Sequence, residues 1–346
     1  MEMTFGNAVM HETISQYALD GSKTEDLMDC DGIIDMTASV SNIEQLYWFR
    51  DGKDFSREMP PYVCYRNGYN AFAAPRIHLQ MRHYTVPSLQ NMRIFNANGH
   101  DATCVYYGCP PMYKKGDNPE FWKYFEEEFG LKKKEYFLFP HRPTADKGID
   151  MVKQLASRFP NETFVLSAAT PIAEHQAGLT KLLQEASTLH MENIKYCPIP
   201  MNPMHHYYKR ELMRHAKAGL TCFDPSRYIE GFNLTNMEFV ANGTPIIVTD
   251  SESSRELWVH GKDAIIVPYH LESFSAAIEK FSTYSFNCHN NYTTENYAKN
   301  YLNLLLNKYA VAPNVTQAAR ENDLSSPSPQ QQSEMQSAQI QFPPRP

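Results

Sequence analysis

Ala218-Gly-Leu-Thr-Cys-Phe223, then Pro225-Ser-Arg-Tyr-Ile-Glu-Gly-Phe-Asn-Leu-Thr-Asn-Met-Glu238, then Pro245-Ile-Ile-Val-Thr-Asp250 are the stretches that decide how this chain folds. The first and third are short apolar runs of strand length. Between them a loop opens into a helix over Leu234 to Ala241, stopped by Asn242-Gly243, because glycine accepts the left-handed conformation just past a helix end. Strand, loop, helix and strand in that order form the alternation from which parallel sheets are built. Such sheets bind ligands at the carboxyl ends of their strands.

The alternation extends both ways. Upstream, Tyr136-Phe-Leu-Phe139 and Thr163-Phe-Val-Leu-Ser167 read as strands, and a third is expected from Ile194 to Ile199. Gly148 to Arg158 carries Ile149, Val152 and Leu155 at helical spacing. Further helices are expected over 178–189 and 208–217. Downstream, Ala264 to Pro268 is a strand and Leu271 to Phe281 a helix. The first 134 residues read as a smaller α/β unit, with strands at Gly32 to Met36, Tyr62 to Tyr65 and Ala102 to Tyr107. From Ala312 to Pro346, Pro, Gln, Ser, Asn and Ala dominate, as in Ser325-Ser-Pro-Ser-Pro-Gln330, and a disordered tail is expected.

A chain of 346 residues with 42 % apolar and 21 % charged residues has room for two cores. Lys and Arg number 32 against 39 acidic residues, a net charge of -7, which argues against nucleic acid as a partner. The seven cysteines are odd in number and contain no Cys-x2-Cys pair, so they read as reduced thiols of a cytoplasmic protein. Met1 to Met10 lacks the basic start and apolar block of a signal peptide, and no long apolar run suggests a membrane span. Adjacent histidines such as His205-His206 do not face one ligand on a helix, so no metal is expected.

Two constellations carry chemistry. In the first, Glu230 and Glu238 flank Gly231, which permits close backbone approach. The amides of Phe232, Asn233, Leu234 and Thr235 would open a helix, a natural cradle for a diphosphate. Glu238 would accept hydrogen bonds from ribose hydroxyls and Glu230 would face the sugar. The plainer alternative is two surface carboxylates beside an ordinary helix that Asn233 caps without a ligand. In the second, Phe139-Pro-His-Arg142-Pro-Thr-Ala-Asp-Lys147-Gly148 places two cations at a helix start, where the helix dipole disfavours them. A bound diphosphate would resolve this, with Arg142 gripping oxygens in a fork and Lys147 acting as a point charge. Two solvated surface charges are the alternative.

Together these pieces resemble the donor-binding half of glycosyltransferase family 4. The resemblance runs through Arg142 and Lys147-Gly148, Pro225-Ser226, Glu230-Gly231-Phe232 and Glu238, Ala241-Asn-Gly243-Thr-Pro245-Ile-Ile, Glu256-Leu-Trp-Val259 with Gly261, and Val267-Pro268. It implies a GT-B architecture, two Rossmann-like domains facing across a cleft. It also implies a retaining, metal-independent hexosyl transfer from a nucleotide-diphosphate sugar, with no other cofactor. Arg142 and Lys147 would hold the diphosphate, Glu238 the ribose and Glu230 the transferred sugar. The amides of Gly231, Phe232, Asn233 and Leu234 would meet phosphates and sugar, and Cys197 to Ile199 would lie near the base. The acceptor would be a glycan, a lipid-linked sugar or a protein, and peripheral contact with the inner membrane face would suit the second of these.

The chain departs from the family at His141 and Asn233, where glycines are usual, and at Ser253-Ser254. The domains expected are a reduced acceptor-side unit over 1–134, a donor-binding unit with a terminal helix over 135–311, and the tail over 312–346. Arg66 or Asn67 would stand where the family often has a His near the sugar, His83 to Ser88 resembles a later strand ending in Ser, and Pro110-Pro111 would lie in the link between domains. The reduced front keeps a second hypothesis open, an inactive nucleotide-sugar-binding partner or regulatory protein. A third, a sugar-nucleotide epimerase, would need carboxylates from both domains, and Asp29, Asp31 and Asp35 form no pattern for that.

Overall fold

The computed structural model describes the backbone at residues 3–5, 8–10, 33–35 and 62–65, and residues 84–97, 102–109, 117–167, 173–200, 204–227, 230–288 and 292–305. The expected tail, Arg66, Asn67, Pro110, Pro111, Asp29 and Asp31 lie outside the described residues.

Strands β1 (Met3–Phe5) and β2 (Ala8–Met10) form an antiparallel pair. Strands β3 (Ile33–Asp35), β4 (Tyr62–Tyr65), β5 (Tyr84–Val86) and β6 (Ala102–Cys104) form a parallel sheet in chain order. Helix α1 (Leu89–Ala97) links the last two, and α2 (Pro119–Phe129) follows. The second sheet holds β7 (Tyr136–Phe139), β8 (Thr163–Leu166), β9 (Ile194–Tyr196), β10 (Ala218–Thr221), β11 (Ile246–Thr249) and β12 (Ala264–Val267). All its pairings are parallel, in the order β12-β11-β10-β7-β8-β9. The expected α/β class and parallel doubly wound sheet are therefore present.

Helices α3 (Ile149–Arg158), α4 (Ala173–Thr188), α5 (His205–Arg214), α6 (Leu234–Ala241), α7 (Glu252–Leu257) and α8 (Leu271–Glu279) connect these strands or follow the last of them. Because side chains alternate along a strand, β7 feeds both faces. Tyr136 and Leu138 join Trp122 and Phe125 of α2, Leu212 and Met213 of α5, and Phe239 and Val240 of α6. Phe137 and Phe139 join Val152 and Leu155 of α3, Leu179 of α4, and Phe274 and Ile278 of α8. Burial on both faces is why β7, β10 and β11 read as unbroken apolar runs. Helix α9 (Thr294–Leu305) packs on the first sheet, where the Tyr301 and Thr85 hydroxyls lie 2.9 Å apart.

Several boundaries differ from expectation. The ninth strand stops at Tyr196, two residues before Pro198, whose missing amide cannot extend a ladder. Helix α5 begins at His205 and ends at Arg214, earlier at both ends than the expected 208–217. Among the described residues, no helix is long and apolar enough to cross a membrane.

Candidate donor site

In the second sheet the connection order reverses between β7 and β10, and the loops leaving neighbouring strands diverge there. Both chemical constellations leave the carboxyl ends of these two strands. After β7 the chain passes through His141 and Arg142 into a tight turn at Ala145–Lys147. Gly148 ends that turn at φ +81°, and a Cβ there would stand 1.8 Å from the Cys222 carbonyl oxygen. No other residue fits, since both the backbone angle and the contact exclude a side chain. The close approach seats the first loop directly on the end of β10.

Lys147 thereby reaches the second loop. Its Nζ lies 2.9 Å from Glu230 Oε2, and Glu230 is only 8 % exposed. The Asn233 amide donates to the same oxygen at 3.3 Å. Asn233 Oδ1 also accepts from the Asn236 amide at 3.1 Å, capping α6 as its residue type favours. The Ser253 hydroxyl donates to the Glu230 carbonyl. One carboxylate is therefore oriented by a cation and an amide, on a backbone held from behind by α7.

Glu238, half-buried on α6, pairs with Lys209 of α5 at 2.6 Å. The sequence reading did not anticipate Lys209. Arg142 stands further out, half exposed, with Asp146 at 3.9 Å. Beneath these charges His141 is buried, its Nε2 3.1 Å from Thr221 Oγ1, whose hydroxyl donates to Asn236 Oδ1 at 2.5 Å. Burial, with Lys147 and Lys209 nearby, holds the imidazole neutral and brings its pKa down to about 3.

The structure thus gathers Lys147, Glu230, Gly231 and Asn233 in one place, with Glu238 beside Lys209 on the flanking helix and Arg142 on the outer edge. The Phe232 ring is core, packed edge-on to Tyr107 at 5.1 Å and near Tyr106 and Tyr292. Leu234 is exposed at the start of α6. Cys197 is fully buried at the end of β9, and burial pushes its thiol up to about 12.

The front half reaches the same loop. Ser88 caps α1 by accepting from the Asn91 amide at 3.2 Å. The Glu256 carboxylate accepts from the Leu89 and Gln90 amides at 2.7 and 3.4 Å, and Arg93 pairs with Glu252. Burial raises the Glu256 pKa above its ordinary value. These contacts hold α1 so that Asn91 abuts Gly231: a Cβ on Gly231 would lie 2.3 Å from Asn91 Nδ2.

Elsewhere, ligand-type atoms of Asp117, Glu211 and His215 fall within 4.8 Å of one another. Cations already engage both carboxylates there. Arg210 donates to Glu211 at 2.9 and 2.7 Å, and Arg214 lies 3.4 Å from Asp117. The cluster reads as an ion network tying α2 to α5.

A family model described as glycosyl transferases group 1 matches residues 120–300. Among solved structures, Anabaena Alr3699/HepE in complex with UDP and glucose superposes with a TM-score of 0.64 at 14 % identity, over 85 % of this chain and 81 % of that one. A glycosyltransferase from Rickettsia africae gives 0.62 at 14 % identity, over 93 % and 85 %. Sucrose-phosphate synthase from Thermosynechococcus elongatus gives 0.57 at 14 % identity, over 79 % and 69 %. No curated protein matches the chain significantly. At these identities the structural likeness shows the fold, the GT-B arrangement expected above.

Proposed function

The chain belongs to the glycosyl transferases group 1 family, and we propose that it moves a hexose from a nucleoside diphosphate sugar to a glycan, lipid-linked or protein acceptor with retention of anomeric configuration. The observation that carries this reading is the Lys147–Glu230 pair, 2.9 Å apart at the reversal point of the parallel sheet.

Departure of a nucleoside diphosphate leaves negative charge on the phosphate oxygens. Lys147, Arg142 and the amides of Phe232, Asn233 and Leu234 would take up that charge, without a metal clamp. Glu230, fixed by Lys147 and Asn233, would accept hydrogen bonds from the sugar hydroxyls. Glu238 would hold the ribose diol, with Lys209 orienting its carboxylate. A solved relative carries UDP and glucose together, which supports a nucleotide-sugar donor here. Membership of family 4, an acceptor-side domain reduced relative to that family, and a cytoplasmic setting at the inner membrane face belong to the same proposal.

Calorimetric titration against UDP, GDP and ADP, followed by turnover of the matching sugar conjugates, tests the reading. Micromolar to millimolar binding of one diphosphate with slow release of its sugar is expected. Absence of binding to all three overturns it. Binding without transfer across an acceptor panel would instead make the chain a nucleotide-sugar-binding partner.

A further inference from the structure

We propose that Asn91, from the front half of the chain, is a contact residue for the transferred sugar and contributes to the choice of that sugar; this rests on the donor-site reading above.

Asn91 is 1 % exposed, and among the described residues neither its Nδ2 nor its Oδ1 has a hydrogen-bond partner. Its backbone amide donates to the Ser88 hydroxyl. A buried polar group left unpaired costs about 1–3 kcal/mol, so burial of an amide with both ends unmet is expensive unless a partner joins it. The expense falls in a telling place. The side chain lies against Gly231, the residue that follows Glu230, within the loop proposed to face the sugar.

Gly231 itself explains the approach. It shows no positive φ, so its backbone angle does not demand glycine. A Cβ at that position would collide with Nδ2 at 2.3 Å and with Oδ1 at 3.0 Å. The missing side chain therefore serves to admit the Asn91 carboxamide beside the loop. Meanwhile α1 is anchored by Glu256 at its amino terminus and by the Arg93–Glu252 pair, so Asn91 is presented on a fixed element. Fixed presentation lowers the ordering cost of a contact.

The chemistry matches a sugar. A carboxamide offers two donor hydrogens and an acceptor oxygen. A sugar hydroxyl both donates and accepts, so adjacent hydroxyls can satisfy both ends of one amide. Glu230 supplies only acceptors when ionised, and it already engages Lys147 and Asn233. Asn91 adds a donor beside Gly231, the neighbour of Glu230. A phosphate, which lacks donors, would leave Oδ1 unmet.

Asn91→Leu and Asn91→Ala in the full chain test this, by calorimetry with UDP, GDP and ADP and with UDP-glucose, ADP-glucose and GDP-mannose, alongside thermal melts. The expected result is unchanged affinity for the diphosphate alone and a loss of about 5- to 10-fold in the extra affinity conferred by the sugar. Asn91→Leu should melt at or above wild type, because it removes unmet polar atoms at similar volume. Unchanged affinity for diphosphate and sugar conjugate alike would overturn the proposal, as would parallel losses for both with a lowered melt, the signature of packing alone. Failure of the wild-type chain to bind any nucleotide would remove the donor reading and this one with it. Wild-type binding with silent variants would remove only the role of Asn91.

Discussion

The Lys147 ammonium lies 2.9 Å from Glu230 Oε2, in side chains only 11 % and 10 % exposed, so the pair is largely shielded from water. Removing one partner of a buried pair leaves an uncompensated charge, at a cost of about 3–5 kcal/mol. Lys147→Met should lose stability of that order in urea denaturation. Glu230→Gln should lose less, because Lys147 can carry its ammonium outward on a flexible stem. Both should reduce sugar transfer by about 100-fold or more, as expected for groups fixed at a developing charge. A Glu230→Gln variant with full turnover would contradict the assigned role.

Arg142 offers the opposite case. Its guanidinium is 49 % exposed and meets Asp146 only at 3.9 Å. Exposed pairs of this kind contribute little to stability. Arg142→Ala should therefore unfold within about 0.5 kcal/mol of wild type. Its diphosphate affinity should fall by roughly 10-fold or more, the worth of a hydrogen bond to a charged group. Titration with the nucleoside diphosphate that wild type binds measures this directly.

What was legible in the sequence follows from where the determining forces are local. Helix α6 falls at Leu234–Ala241, as read, because Asn233 and Asn242-Gly243 mark both ends chemically. Strands β7, β10 and β11 were plain because burial on both faces leaves no polar interruption. Helix α2 was not read, although Pro119 opens it and Gly130 closes it at φ 58°. Its apolar residues are aromatic and share the helix with Glu126, Glu127 and Glu128, which blurs the stripe. Lys209 and Asn91 carried no sequence signal, since their partners Glu238 and Gly231 belong to other elements. Glu256 was seen only as part of a family pattern. Its work, capping α1 of the other sheet, depends on how two sheets are registered, and hydrophobic periodicity holds no record of that.

His141 gives the protein a pH dependence of definite sign. Its folded pKa is depressed to about 3 by burial and by the charges of Lys147 and Lys209, against an ordinary value of 6.5. The unfolded chain therefore binds a proton that the native state refuses. Stability is full above pH 6.5 and is lost as pH falls toward 3, at about 1.4 kcal/mol per unit. Between pH 7.5 and 5 the loss should be about 2 kcal/mol. His141→Gln should flatten this window in denaturation curves. Glu256, whose carboxyl pKa is raised, works in the opposite direction at lower pH, so the wild-type slope should weaken as its proton binds.

Glu256 also joins stability to the site. Its carboxylate receives the Leu89 amide at 2.7 Å, where the dipole of α1 favours an anion. Glu256→Ala removes a charge-assisted cap, a loss of about 1.5–3 kcal/mol. The same change frees the end of α1 that presents Asn91 to Gly231, so the sugar-dependent part of donor affinity should fall along with stability. Glu256→Gln keeps an acceptor without the charge and should recover part of both. Hydrogen exchange at Leu89 and Gln90 reports the cap directly: protection lost in Glu256→Ala and partly restored in Glu256→Gln is the expected order. Equal protection in all three proteins would show that α1 is held by something other than this carboxylate.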